Sequence, residues 1–226
     1  MIKRIKVYGE RNSGNNFLKQ LLEKNTKNIS LCSNFYKDDT GWLHGKPKLN
    51  LFENMIDDTL FVFIIRDLES WLKSMYSKPY HFEKCKNINL FLENKLIIKE
   101  KNIDHDVHIY DYEKNNTIFE LRYLKIKSLI YTFKKVKNAI MVNLEDIQKD
   151  KGKKFLKIIH DKFKIDIVPD FIPIIKHTKI KKNIQNRKID VQLNENIINK
   201  YKNKKFENIV NRLKQKYKLK CNNKIL

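Results

Sequence analysis

Thr59-Leu60-Phe61-Val62-Phe63-Ile64-Ile65 is the most hydrophobic run of this chain, and it stops abruptly at Arg66-Asp67. Seven apolar or β-favouring residues without polar alternation describe a strand covered on both faces, the signature of a central strand in a parallel sheet. Leu68 to Tyr76 then takes up helical spacing, and Pro79 breaks it. A buried strand followed at once by a helix is half of a βαβ unit.

The same alternation recurs on either side. Ile2 to Tyr8 alternates apolar and basic residues and reaches Gly9, as a strand feeding a turn would; beyond Gly14, Phe17, Leu18, Leu21 and Leu22 fall on one helical face. Ile29 to Cys32 suits a short second strand. Ile118 to Val136 has helical spacing, Ala139 to Leu144 is a further strand ended by Glu145-Asp146, and Phe155, Ile158, Ile159 and Phe163 mark another helix. Residues 83–117 have weak periodicity and read as a variable insertion. A basic stretch covers 174–190, and Ile197 to Tyr217 reads as a last amphipathic helix. Strands alternating with helices predict an α/β fold of three layers, α/β/α, around a mostly parallel sheet, in one domain spanning 1–226.

The formal net charge of +22 raises the question of nucleic acid. Lysine supplies most of it, alongside abundant Asn and Ile, the bias of an AT-rich coding sequence. Part of this charge is then expected to be drift onto solvated faces, and an anionic small ligand is the preferred partner over nucleic acid. The rare arginines are more informative: Arg4, Arg11, Arg66, Arg122, Arg187 and Arg212. Cys32, Cys85 and Cys221 are widely spaced and include no CxxC pair, against a disulfide framework or a structural zinc site and for a reducing compartment. The first residues are too charged for a signal h-region and no apolar run reaches membrane-spanning length, so a soluble cytoplasmic protein is expected.

Gly9-Glu10-Arg11-Asn12-Ser13-Gly14-Asn15-Asn16 joins the first strand to the first helix. Ligands of doubly wound sheets bind beyond the carboxyl ends of the strands, where helix N-termini favour anions. Gly14 allows close backbone approach, Ser13, Asn15 and Asn16 can donate hydrogen bonds, and Arg11 supplies charge. A triphosphate loop needs Lys at position 15 and Ser or Thr at 16 to hold Mg²⁺. Asn15 and Asn16 stand there instead, so the expectation is a phosphate site without a metal. An ordinary strand–turn–helix corner would also use these glycines.

Arg66 ends the buried strand at the same edge, and Ser74 follows about two helical turns later. An arginine fork and a hydroxyl converging there suit a second phosphate; alternatively Arg66 pairs with a carboxylate and Ser74 is a surface residue. Together the two stretches resemble the cofactor motifs of sulfotransferases that use 3′-phosphoadenosine 5′-phosphosulfate (PAPS). Gly-Glu-Arg-Asn-Ser-Gly-Asn-Asn-Phe-Leu, with Ser-Met-Tyr-Ser-Lys-Pro-Tyr-His later, is similar to a microbial and viral branch of that family. The resemblance covers residues 5–22 and 59–82, with weaker likeness over 118–165. It implies a P-loop-like sulfotransferase architecture, PAPS as co-substrate, and a hydroxyl or amine acceptor, a glycan among the candidates. It also implies Arg11, Asn12, Ser13, Gly14, Asn15 and Asn16 at the 5′-phosphosulfate, with Arg66 and Ser74 at the 3′-phosphate. Arg187, in Asn186-Arg187-Lys188, matches a third basic element of that family by position alone. The chain departs from the family where Asn12 takes the place of the basic residue before Ser-Gly, and where Asn15 and Asn16 replace two threonines.

Sulfuryl transfer calls for a base at the acceptor and cationic donors at the leaving phosphate. His44, in Gly41-Trp42-Leu43-His44-Gly45, is the first candidate for the base and His81 the second, with Arg11 at the leaving oxygen. A turn histidine is the plainer account of His44. Asp104-His105-Asp106-Val107-His108 has ligand-like spacing but reads as a solvated loop. A P-loop kinase or hydrolase, and a basic nucleic-acid-binding module, are the competing readings. The first lacks its Lys and Mg²⁺ ligand, and the second leaves the Arg66–Ser74 spacing unexplained.

Overall fold

The computed structural model describes residues 1–32, 43–45, 47–79, 82–85, 87–93 and 117–174. Its strands are β1 (Arg4–Gly9), β2 (Ser30–Leu31), β3 (Thr59–Ile65) and β4 (Ala139–Asn143). The helices are α1 (Asn15–Asn25), α2 (Leu68–Ser77), α3 (Ile88–Glu93), α4 (Ile118–Lys135), α5 (Leu144–Lys149) and α6 (Lys153–Phe163). All strand pairs are parallel, in the order β2-β1-β3-β4.

β3 is buried at every residue because it has a strand on each side and a helical layer on each face. The two faces differ in chemistry. Ile5 and Val7 of β1, Leu60, Val62 and Ile64 of β3, and Ile140 and Val142 of β4 form an aliphatic face under α1 and α6. Tyr8, Phe61, Phe63, Ile65 and Met141 form the opposite, largely aromatic face, covered by Ile126, Leu129 and Phe133 of α4. Phe63 meets Phe133 edge-on at 5.9 Å between centroids, a favoured aromatic geometry. The period of two along each strand thus sorts side chains into two cores, completing a three-layer α/β/α fold.

Local chemistry sets the element ends. Thr117 caps α4 in a reciprocal box with Glu120, the Ser/Thr-x-x-Glu arrangement that satisfies two orphan N–H groups. β4 ends at Asn143, one residue before the expected Leu144, because Asn143 caps a short helix, α5, through Glu145 N–H. The reading of 83–117 as an insertion is met in part by α3. Most of that stretch, the basic stretch beyond 174 and the helix expected at Ile197–Tyr217 lie outside the described residues.

The topology also fixes where a ligand would sit. The connection from β1 runs through α1 to β2 on one side, whereas that from β3 runs through α2 to α4 and on to β4 on the other. Strand order therefore reverses between β1 and β3, opening a crevice at their carboxyl ends. Gly9–Gly14 and Arg66–Asp67 leave the sheet at that crevice.

Candidate functional site

Three consecutive residues of the β1–α1 loop are held from outside the loop. Glu10 is 1% exposed and its Oε2 accepts from Arg122 Nη1 of α4 at 2.7 Å, in an ion pair with both side chains at 0% exposure. The same guanidinium donates through Nη2 to Arg66 O at 2.9 Å and lies 4.8 Å from the Trp71 ring centroid. Arg11 O accepts from Trp71 Nε1 at 2.8 Å, and Asn12 O accepts from Arg66 Nη1 at 2.9 Å. Asn12, at φ 59°, directs its amide to Lys78 O at 3.2 Å and Met75 Sδ at 3.0 Å at the end of α2. Asparagine tolerates that left-handed backbone better than most residues. The two stretches singled out in the sequence are thus joined through Arg66 and Asn12.

The loop side chains divide into those turned into the scaffold and those at the surface. Ser13 is fully buried, and its hydroxyl donates to Glu10 O at 2.6 Å, closing the turn. Arg11 is also buried. Asn15 is 4% exposed and its amide nitrogen reaches back to Gly9 O at 3.2 Å and Glu10 O at 3.1 Å. Asn16 is exposed. Gly14, at φ 93°, starts α1 with no capping side chain and no acidic residue in the first turn. The opening N–H groups of that helix are the donors the loop offers to an anion.

Ser74 is half-buried on α2, and its carbonyl lies 3.4 Å from the Asn12 amide nitrogen. Of the two arrangements foreseen for Arg66, the pairing with a carboxylate is present. Beyond its bond to Asn12, its Nε lies 3.6 Å from Glu145 Oε1, a long and partly solvated ion pair of small energetic weight. Glu145 Oε2 also accepts from Asp67 N–H at 3.1 Å, and Asn143 donates to Asp67 Oδ1 at 2.8 Å. The carboxyl ends of β3 and β4 are cross-linked in this way.

The turn carrying His44 packs on the end of β1. Gly9 N–H bonds Leu43 O at 3.1 Å, and His44 Nδ1 lies 2.8 Å from Asn15 Nδ2 and 3.1 Å from Gly9 O. Burial, then the Arg11 charge, pull the His44 pKa down to about 3, so the imidazole is neutral near pH 7. His81, Arg187, His105 and His108 lie outside the described residues.

Glu10, Arg122 and Trp71 had no assigned role in the sequence reading, although Arg122 stood among the rare arginines. The signal for Arg122 was its register: it stands four residues after Ile118 and four before Ile126, on the buried stripe of α4. A charge on a core stripe demands a partner. Lys125, between Leu121 and Leu129, repeats the pattern and is 3% exposed. No family model, curated protein or solved structure matches the chain.

Proposed function

We propose that this chain is a sulfotransferase that moves the sulfuryl group of PAPS to a hydroxyl or amine acceptor. The observation that carries the reading is the meeting, at the β1–β3 crevice, of an uncapped helix N-terminus with Arg66, joined through Asn12, whose amide also reaches the α2 backbone at Ser74. Two anion-binding elements on neighbouring strand ends suit a ligand with phosphates at both its 5′ and 3′ positions.

PAPS, when bound, supplies a sulfuryl group on a phosphate leaving group. In the transfer, the bond from sulfur to the bridging oxygen breaks as the bond to the acceptor oxygen or nitrogen forms. The acceptor proton passes to water, and the bridging oxygen takes up negative charge. The α1 amides and the buried Arg11 charge oppose that growing charge from fixed positions, the arrangement in which electrostatic stabilisation is most effective. Arg66 and Ser74 take the 3′-phosphate. Glu10, Arg122 and Trp71 keep the loop in place between turnovers.

Calorimetric titration of the full chain with adenosine 3′,5′-bisphosphate, in buffer without Mg²⁺, tests this reading. Binding is expected, and Arg66→Ala should weaken it by about 10²-fold, the scale of a charge-assisted bidentate contact. No binding by the unaltered chain, or equal binding by Arg66→Ala, overturns the proposal. Radiolabelled PAPS offered with a panel of glycans and simple alcohols then identifies the acceptor class.

A further inference from the structure

Asn15 occupies the place of the lysine in a triphosphate loop, yet its side chain points back to the end of β1. Its amide nitrogen is within 3.2 Å of two backbone carbonyl oxygens, Gly9 O and Glu10 O. Carbonyls only accept, so they fix which end of the amide faces them. Turning the amide over would set its oxygen against both carbonyls. The two backbone carbonyls therefore require the nitrogen on their side, and Oδ1 as placed meets no donor among the described residues.

With the amide so fixed, the 2.8 Å contact to His44 Nδ1 has a donor on the Asn15 side. A ring nitrogen meets a donor at that distance with its lone pair. Were Nδ1 protonated instead, it would donate to Gly9 O across the longer 3.1 Å separation, leaving two N–H groups 2.8 Å apart. A second proton on the ring is opposed first by burial and then by the nearby cations Arg11 of the loop and Lys125 of α4, which together outweigh the Gly9 and Glu10 carbonyls that favour it.

We infer that Asn15 is a positioning residue that holds His44 as the neutral, Nε2-protonated tautomer, with its lone pair engaged by the Asn15 amide, so that His44 is not the base expected from the sequence. The tautomer follows from the contacts at Nδ1, whereas its bearing on the transfer rests on the sulfotransferase reading. Asn15 therefore replaces a lysine's direct reach to phosphate with control over a neighbouring imidazole.

The test is long-range ¹H–¹⁵N correlation on the ¹⁵N-labelled full chain without nucleotide. His44 should show an unprotonated Nδ1 and a protonated Nε2, unchanged from pH 5 to pH 8. In Asn15→Ala the loss of the donor should transfer the proton to Nδ1, on Gly9 O. Asn15→Ser serves if the alanine variant fails to fold, and the unaltered spectrum decides the tautomer in either case. A protonated Nδ1 in the unaltered chain, or a tautomer indifferent to loss of the Asn15 amide, overturns the inference. Because no nucleotide is present, these outcomes are independent of the bisphosphate titration.

Discussion

α1 and α6 begin with the same backbone device and finish it differently. Gly14 and Gly152 open the two helices at φ 93° and 92°, a left-handed conformation that costs glycine little. A Cβ on either would collide with a leucine, Leu144 or Leu21 respectively. At α6 the chain fills the anion position itself: Asp150 Oδ1 accepts from Gly152 N–H at 3.0 Å and Oδ2 from Lys154 N–H at 2.8 Å. At α1, Asn12 precedes the glycine by the same two residues, but its amide is turned away to α2. One helix start is closed by its own carboxylate. The other keeps its backbone donors at the switch point of the sheet, where the fold has an opening for a ligand.

The support of the two turns differs as well. Asp150 ties its own turn together, whereas the α1 loop hangs from Arg122, Trp71 and Arg66 on other elements. Arg122→Leu is therefore the largest single loss expected here. It strands the Glu10 carboxylate in the core and should lower unfolding free energy by about 3–5 kcal/mol in urea titrations. Adding Glu10→Gln to that variant should recover part of the loss, because the stranded charge is gone. If Arg122→Leu proves no costlier than a surface change, the loop is held by something other than the buried pair.

Asp150→Ala should cost about 1 kcal/mol, the ordinary value of a lost helix cap. It should leave adenosine 3′,5′-bisphosphate affinity unchanged, because α6 starts on a turn that contributes nothing to the β1–β3 crevice. A drop in nucleotide affinity on this substitution would mean that the two helix starts are not the separate devices described above.

The layers of the fold were legible in the sequence because each rests on a local pattern. The unbroken 59–65 run could only be a strand covered on both faces, and the apolar spacings at 17–22 and 118–136 each marked one helix. The positions of Gly14, Arg66 and Ser74 followed from strand ends and chain spacing. What escaped were contacts between residues far apart in sequence. Arg122 is 112 residues from Glu10, and only the folded sheet brings α4 beneath the loop. Ser13 looked like a ligand donor because its type allows it, and Asn12 was placed at the ligand by the resemblance. Within the loop, the Ser13 hydroxyl instead closes the turn on Glu10 O, and the Asn12 amide is engaged by α2. His44 was placed at the right edge by its neighbours, but its tautomer depends on a 2.8 Å contact that no spacing rule encodes.

The finest test converts one helix start into the other. Asn16 is exposed in the first turn of α1, so Asn16→Asp gives that terminus a carboxylate of its own with little disturbance of packing. If the α1 amides are simply an unfavourable end awaiting a charge, the change should raise unfolding free energy by about 0.3–1 kcal/mol. If they are also the anion site, the same carboxylate should repel the incoming phosphate and weaken bisphosphate binding by about tenfold, equivalent to about 1.4 kcal/mol of like-charge repulsion. Both effects should shrink in molar salt, where screening shortens the reach of surface charges. Asn16→Ala separates loss of the amide from gain of the charge. A more stable chain with undiminished affinity would move the phosphate away from α1. A more stable chain that binds less tightly makes ligand binding the reason this helix start lacks the carboxylate that closes α6.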